Sequence, residues 1–252
     1  MSAMIQHQIL AWLWLQAYAQ ERKIPKNTFY AQDDFSKQAE KLFTKDVESV
    51  SLVAVLWTGN TNIPALTSEE ECYSELFVLI VEIRNIQLLD KIDSIIHQIL
   101  PNPLLIIYTN NSQILLSVSS KRRSKADKNK QVVENIYITD WMKREDRKDH
   151  EEFWNNIHYK SHLFTNLKRF YEWRLYPIII MQYQSLLWWY RSISLQDMPH
   201  VLDIISQHQQ LQKQITEREL AHKQTLSMWE QSKLYIKIKN HKEQQAKLIS
   251  SL

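Results

Sequence analysis

Hydrophobic positions recur at helical spacing in the first part of the chain. An opening segment carries apolar residues on one face, and residues 36–50 repeat this pattern. The apolar members of the second segment are Ala39, Leu42, Phe43 and Val47. The period then changes, because residues 51–58 and 75–83 are short apolar runs rich in β-branched and aromatic side chains. Such runs predict buried strands.

One helix and three further strands follow in the predicted order. Residues 88–100 place leucine and isoleucine on one helical face, and two prolines end that helix. Residues 104–109 and 113–120 are strand-like and flank turn-forming asparagine and serine, so we predict a hairpin. A last strand is predicted at 132–138. The order strand, helix, strand, strand indicates an α+β fold with a mixed sheet layered with helices.

The last part of the chain has a helical pattern with few turn formers. We predict helices at 150–174 and 177–194, followed by a long segment at 201–252 that lacks glycine and proline. In its closing part, from Leu234 to Leu252, mostly apolar positions recur at alternating spacings of four and three, whereas the register drifts upstream, which is typical of a helical hairpin or an irregular coiled coil. The sequence thus predicts an α+β core domain at 1–142 and a helical extension with coiled-coil character at 143–252.

The composition excludes several common active sites. The 252-residue chain contains one glycine, Gly59, and one cysteine, Cys72. A phosphate-binding loop, a dinucleotide fingerprint and a Gly-x-Ser-x-Gly elbow each need at least two glycines close together. Zinc and redox sites of the common kinds need paired cysteines. We therefore predict no cofactor, no metal site and no catalytic residue, and we expect a reducing, cytoplasmic setting.

Two apolar segments, at 1–23 and 175–190, raise the question of membrane contact. The first lacks a basic region before its apolar stretch, and both segments are interrupted by glutamine. A signal peptide needs that basic region, and a bilayer core about 30 Å thick needs a longer uninterrupted span. We therefore expect a soluble protein without a membrane partner.

Positive charge is concentrated in one segment. The net charge of +3 is small for this length, but six cations lie between positions 121 and 130 and are opposed by one acid, Asp127. They are Lys121, Arg122, Arg123, Lys125, Lys128 and Lys130. A solvated loop tolerates such a cluster, because salt screens exposed charges over about 8 to 10 Å. Alternatively, the cluster binds nucleic acid or an acidic partner, with release of counterions.

A diverged metal-dependent nuclease is the alternative enzymatic hypothesis. Such enzymes hold magnesium with carboxylates on adjacent strands and use a lysine to orient water. In this chain the site would be formed by Glu75, Glu82 and Lys121. The hypothesis requires these three groups to converge around one metal ion, and wide separation excludes it.

Aromatic and histidine side chains offer two weaker candidates. The aromatic residues of 170–190 could stack on the bases of a single strand, although packing in a core or partner interface explains them more simply. His150 and His158 are too far apart for a His-Glu-x-x-His site, which favours a solvated helix face. His97 is interpreted as a satisfied or edge histidine of its helix.

Several segments occur in the order and spacing of a known family. They are KIPKNTFY, KLFTKDVESV, NTNIPA, LLDKIDSIIHQILPNPLLIIY, LLSVSSKRRSKADKNKQVVE and ELAHKQTLSMWEQSKLYIKIK. In these segments the chain resembles a bacterial family known as domain of unknown function 4391. The family's Ser-x-x-x-Lys-Arg arrangement is met by Ser117, Lys121 and Arg122, with Asp127 and Lys130 behind it. The aromatic-rich region at 170–190 departs from the family pattern.

The resemblance implies a context rather than an activity. Members of the family look like accessory genes of prokaryotic defence loci, often beside a helicase and a DNA methyltransferase. We therefore expect a non-catalytic accessory subunit of an antiviral defence assembly, whose helical extension is a binding surface for helicase or methyltransferase subunits. The C-terminal helices pair either within the chain or between copies in an oligomer. The six cations at 121–130 are the expected nucleic-acid contact. A general nucleic-acid-binding protein is the remaining alternative.

Overall fold

The structure is a computed structural model of the 252-residue chain. It describes residues 3–13, 15–30, 36–110, 113–127, 130–143, 150–157, 164–184 and 197–250. The chain divides into two compact units, Met1–Tyr183 and Gln184–Leu252. The first unit is an α+β domain, and the second is helical.

A mixed sheet forms the centre of the first unit. In chain order the strands are β1 (Ala19–Lys23), β2 (Val47–Trp57), β3 (Leu66–Thr67), β4 (Cys72–Tyr73), β5 (Glu75–Ile83), β6 (Leu104–Asn110), β7 (Gln113–Arg123), β8 (Gln131–Ile138) and β9 (Met142–Lys143). The described strands of the main sheet have the spatial order β1-β2-β5-β6-β7-β8, and β9 also pairs with β7. Neighbouring strands are antiparallel except β5 and β6. The short strands β3 and β4 form a separate hairpin.

Helices connect and cover these strands. Those of the first unit are α1 (Ala3–Trp12), α2 (Asn27–Tyr30), α3 (Lys37–Asp46), α4 (Thr58–Thr61), α5 (Leu89–Ile99), α6 (Glu151–Ile157) and α7 (Leu167–Gln182). Helix α5 joins the parallel strands β5 and β6, which cannot be connected by a tight turn. Ile92 and Ile96, one turn apart on α5, are fully buried in a core shared with α3 and the sheet.

The central strands β5, β6 and β7 are buried on both faces of the sheet. Leu79 and Ile106 belong to the core beneath α5, and their neighbours Ile80 and Ile107 point to the other face but are equally buried. Helix α7 contacts β5, β7 and β8. Burial on both faces explains why β5 and β6 are continuous apolar runs rather than alternating ones.

Helix α7 differs from the predicted pattern at its proline. It continues through Pro177 rather than ending before it, and residues 175–181 are all buried. Packing thus offsets the backbone hydrogen bond that proline removes. The predicted domain boundary at 142/143 lies inside the first unit, because α6 and α7 pack in that unit. Arg174 of α7 donates to the carbonyl oxygens of Ile157 and Leu13, at 2.9 and 3.2 Å.

The first 70 residues contain further differences. Helix α3 ends at Asp46 and β2 begins at Val47, so the helical spacing of Val47 was misleading. Strand β1 was not predicted, because its sequence AQERK is polar and it lies at the sheet edge. The single glycine, Gly59, lies beneath the indole of Trp57, where an added Cβ would come within 2.2 Å of the ring.

The second unit is an antiparallel helical hairpin. Its described helices are α8 (Met198–Gln224) and α9 (Met228–Ser250), joined by residues 225–227. Arg218 donates to His241 at 2.9 Å, and Lys242 forms an ion pair with Glu219 at 2.8 Å. Further along α9, Gln245 donates to Gln212 and to the carbonyl oxygen of His208, which lie earlier on α8, so the two helices of this chain pair with each other in antiparallel order. Among the described residues, no helix has both the length and the apolar character that crossing a membrane requires.

The buried face of α5 provides a stability prediction. Changing Ile92 to alanine removes a fully buried side chain and leaves a cavity, which costs about 2 to 5 kcal/mol of the free energy of unfolding. Ile86 is 38% exposed, so Ile86→Ala is the matched control with a much smaller expected effect. Urea unfolding followed by circular dichroism measures both. Equal losses from the two changes would contradict the described packing of α5.

Candidate functional site

The fold places the described cations of 121–130 in two different environments, one buried and the others nearer the surface. Lys121 lies within β7 and is 4% exposed, and its Nζ donates to the carbonyl oxygens of Leu100 at 2.5 Å and Asn102 at 2.8 Å. Those carbonyls follow the last turn of α5. A buried ammonium with these partners does not reach a phosphate at the surface. Lys121 is therefore removed from the predicted nucleic-acid contact.

The other cations lie at the end of β7 and in the turn to β8. Arg122 forms an ion pair with Glu134 of β8, with Nε and Oε1 3.1 Å apart. Lys125 and Lys130 are exposed and Arg123 is half-buried, whereas Lys128 lies outside the described residues. We call Arg123, Lys125 and Lys130 the basic turn.

An acidic hairpin lies against the basic turn. The backbone N–H of Arg123 donates to the carbonyl oxygen of Glu70 at 2.6 Å, and Gln131 donates to the carbonyl of Cys72 at 3.3 Å. The β3–β4 hairpin therefore brings a run of three glutamates next to the cations. One of them, Glu71, pairs with Lys168 at 2.6 Å. The positive potential here is weaker than the sequence alone suggests, because opposite charges lie close by.

Glu75, Glu82 and Lys121 do not have the geometry that a metal-dependent nuclease requires. Glu75 and Glu82 begin and nearly end β5, so they are about 23 Å apart at about 3.3 Å per residue. Lys121 lies near Asn102, before the start of β6, and therefore at the Glu75 end of the sheet. Glu82 instead accepts a hydrogen bond from Ser49 at 2.7 Å. The nuclease hypothesis based on these three residues is wrong.

The residues that come together most closely form a buried polar cluster between α5 and β7. Asp93 and His97 are one turn apart on α5, and Ser117 and Ser119 alternate on β7, so each pair shares a face. Ser117 donates to Asp93 Oδ2 at 2.8 Å, and Tyr108 donates to Asp93 Oδ1 at 2.9 Å. His97 Nε2 lies 3.0 Å from Ser117 Oγ, and Nδ1 lies 2.9 Å from Ser119 Oγ.

Proton positions in the cluster follow from its geometry. Ser117 has one hydroxyl proton and donates it to Asp93, so it accepts from Nε2 of His97. The neutral ring then accepts at Nδ1 from Ser119. Burial lowers the pKa of His97 well below its ordinary value, with the charge of Lys121 as a lesser cause. Burial also raises the pKa of Asp93 to about 7, although its hydrogen bonds from Ser117 and Tyr108 act in the opposite direction.

This cluster resembles the nucleophile, base and acid of an active site, but its side chains are buried. Asp93, His97 and Ser117 are each at most 1% exposed. Nδ1 of His97 accepts a hydrogen bond from the Ser119 hydroxyl, as a base does from a nucleophile, but Ser119 is fully buried as well, so no substrate reaches its oxygen. The arrangement is a fully hydrogen-bonded link between helix and sheet. The interpretation of His97 as a satisfied histidine is confirmed.

Sequence reasoning missed the cluster as a unit, although two signals were present. One is a pair of polar residues one turn apart on the apolar face of α5, and the other is a pair of serines at alternate positions of a buried strand. Among the described residues, no group of three or more histidine, cysteine or acidic side chains is placed to hold a metal ion. His150 is half-buried, and His158 lies outside the described residues.

The described aromatic residues of 170–190 pack inside the first unit. Phe170, Tyr171 and Tyr176 are at most 8% exposed. The hydroxyl of Tyr171 accepts from the N–H of Ser119 at 3.1 Å and lies 2.8 Å from the carbonyl oxygen of Leu104. These rings fasten α7 to the sheet and are not available for base stacking.

A different set of apolar side chains is exposed, at one end of the α8–α9 hairpin. Leu226 is 99% exposed, Met228 83% and Trp229 72%. We call this set the hairpin patch; its members are Leu220, Leu226, Met228, Trp229, Tyr235 and Ile236. Isolated exposed apolar residues are normal, but a concentration within about two and a half turns of one hairpin end is typical of an interaction site. Sequence analysis predicted a partner-binding helical extension without identifying these residues.

Burial of Lys121 provides a prediction about pH. Burial lowers the pKa of Lys121 to about 7, so above that pH the folded chain releases a proton that the unfolded chain retains up to about pH 10. The unfolded state then binds more protons, and the free energy of unfolding rises with pH by up to about 1.4 kcal/mol per unit. The rise should be smaller in Lys121→Met.

Urea unfolding between about pH 7 and about pH 9 measures this contribution as the difference between the two proteins at each pH. Lys125→Met, at an exposed cation of the basic turn, is the matched control and should keep the slope of the unchanged chain. Parallel pH profiles for all three proteins would contradict the assigned environment of Lys121.

Comparison with known proteins identifies a family that matches most of the chain. The family described as Domain of unknown function (DUF4391) matches residues 16–244. No curated protein and no solved structure matches this chain. Because the family match covers nearly the whole sequence, the chain belongs to the DUF4391 family.

Proposed function

We propose that this chain is a non-catalytic accessory subunit of a prokaryotic antiviral defence assembly, acting in the cytoplasm by binding partner proteins. The observation that carries the proposal is the hairpin patch, in which Leu226, Met228 and Trp229 are all more than 70% exposed. Leaving such side chains in water forgoes about 1.5 to 3 kcal/mol of burial for each. A binding partner recovers this free energy, and tryptophan is among the residues that contribute most to protein interfaces.

The buried cluster supports a binding role over catalysis. Asp93, His97 and Ser117 are the described groups whose arrangement most resembles an active site, and they are shielded from any substrate. In this proposal the first unit is a rigid body whose surface is available to partner proteins. The resemblance to family members found in defence loci makes helicase and DNA methyltransferase subunits the expected partners.

The basic turn supports a secondary contact with nucleic acid. Lys125 and Lys130 are exposed, and they lie in a turn that two long antiparallel strands, β7 and β8, hold at one end of the sheet. Cations in such a position release counterions when they meet phosphates. The adjacent glutamates limit this contact, so we expect it to assist a partner complex rather than to provide strong binding alone.

Co-expression with the proteins encoded beside this chain tests the proposal. A tag on the full chain should retain at least one of these neighbours in a fixed stoichiometry, measured by size-exclusion chromatography with light scattering. The chain alone, incubated with DNA and magnesium or manganese, should leave the DNA unchanged. Retention of no neighbour would overturn the proposal, and so would cleavage or modification of DNA by the chain alone.

The basic turn makes a separate prediction. Changing Arg123, Lys125 and Lys130 together to alanine should weaken retention of the chain on DNA and reduce its salt dependence, by a slope of about 0.9 for each phosphate that is no longer neutralised. Fluorescence anisotropy with labelled duplex at several salt concentrations measures both. Lys121→Met is the buried-cation control and should bind like the unchanged chain. Identical salt slopes for the triple variant and the unchanged chain would remove nucleic acid from the proposal.

A further inference from the structure

The outer face of α9 is apolar near the turn of the hairpin. Trp229 and Ile236 are seven residues apart and therefore share a helical face. Ile238 and Gln245, also seven apart, face α8, since Ile238 is buried and Gln245 donates to Gln212 of α8 at 3.1 Å. At about 100° per residue, Ile236 and Ile238 point about 200° apart. Trp229 and Ile236 thus point away from α8.

Positive charge surrounds this apolar face. Three lysines, Lys233, Lys237 and Lys239, lie between Leu226 and the middle of α9, where the sequence has one acid, Glu230. The Nζ of Lys233 lies 5.0 Å from the centre of the Trp229 ring, in a cation–π contact. A surface complementary to this face of α9 therefore has apolar groups at its centre and acidic groups at its rim.

The apolar face is also short. The same outer face continues with Asn240 and Glu243, so its apolar part extends from Trp229 to Ile236, about 10 Å along the axis. A helix that lies in a bilayer surface needs a wide apolar face along its length. Two copies meeting through this face would bring their lysines together, which opposes association. A groove on another protein fits the size and charge best.

We propose that the hairpin patch is the docking site for a partner protein that offers an apolar groove lined at its rim by aspartate and glutamate. This rests on the proposed function and specifies the chemistry of its partner. The turn at 225–227 and the start of α9, from Met228 to Ile236, enter the groove, with Trp229 and Ile236 as the central contacts. The lysines around them pair with the acidic rim.

The test uses the neighbouring protein retained in the co-expression experiment. Its affinity for the full chain is measured by titration calorimetry and compared with the variant Trp229→Ser/Ile236→Ser. Removal of a central tryptophan side chain typically weakens binding by about 30-fold or more, which is the expected result. Ile86→Ser, at a half-exposed isoleucine of the first unit, is the matched control and should bind like the unchanged chain.

Folding of each variant is checked by circular dichroism and thermal unfolding. The substituted side chains are 72% and 58% exposed, so their replacement should leave the unfolding midpoint nearly unchanged. A folded double variant with unchanged affinity overturns the docking site but leaves the proposed function intact. Retention of no neighbour by the unchanged chain overturns both.

The acidic rim has a test of its own. Lys237→Glu should weaken binding more than Lys213→Glu, which makes the same charge change at an exposed position of α8 outside the patch. The difference should shrink at high salt, because exposed charges are screened. Equal effects of the two changes overturn the assignment of an acidic rim.

Two direct measurements test the other possible occupants of the hairpin patch, which are a membrane surface and a second copy of the chain. Flotation with vesicles of phosphatidylglycerol and phosphatidylethanolamine reports on membrane binding, and light scattering of the chain alone reports on self-association. We expect neither to depend on Trp229 and Ile236. Patch-dependent flotation or dimer formation, with unchanged affinity for the neighbouring protein, would overturn the proposed partner.

Discussion

The structure depends on satisfying the polar side chains of β7 inside a sheet that is covered on both faces. Ser117, Ser119 and Lys121 occupy alternate positions of this strand, so all three point toward the side of α5. A buried donor or acceptor left without a partner costs about 1 to 3 kcal/mol, and a buried charge costs more. Helix α5 supplies the partners in sequence order: Asp93 and His97 for the two serines, and then the carbonyls beyond its C-terminal end for the lysine.

This matching fixes the position of the helix along the sheet. From Ser117 to Lys121 the strand rises about 13 Å, and from Asp93 to Leu100 the helix rises about 10 Å, so the two rows advance together. Helix α5 and strand β7 run in the same direction. Both run opposite to the parallel strands β5 and β6, because α5 leads from the end of β5 back to the start of β6 and β7 is antiparallel to β6. A shift of the helix by one turn would leave these buried polar groups without partners, which adds a cost that apolar packing alone does not impose.

The sequence predicts those parts of the fold whose signals are local. Strands β5 and β6 and helix α5 were predicted within one or two residues, because a change of period between them is visible in the chain itself. The path of α7 through Pro177 was not predictable, since the burial that compensates for the proline comes from strands distant in sequence. Lys121 was misassigned for the same reason: its partners, Leu100 and Asn102, are about twenty residues away and identifiable only after folding.

The two faces of the α8–α9 hairpin differ in polarity. Its inner face is partly polar, with Arg218 bonded to His241 and Gln212 bonded to Gln245, whereas its outer face carries Trp229 near the turn. A pair of helices stabilised only by its own contacts would have the opposite distribution, with apolar groups inside and polar groups outside. The seven-residue spacing of Trp229 and Ile236 was visible in the sequence, but it could not reveal which face α8 would cover. Only the pairing of the two helices shows that these side chains are left for another molecule.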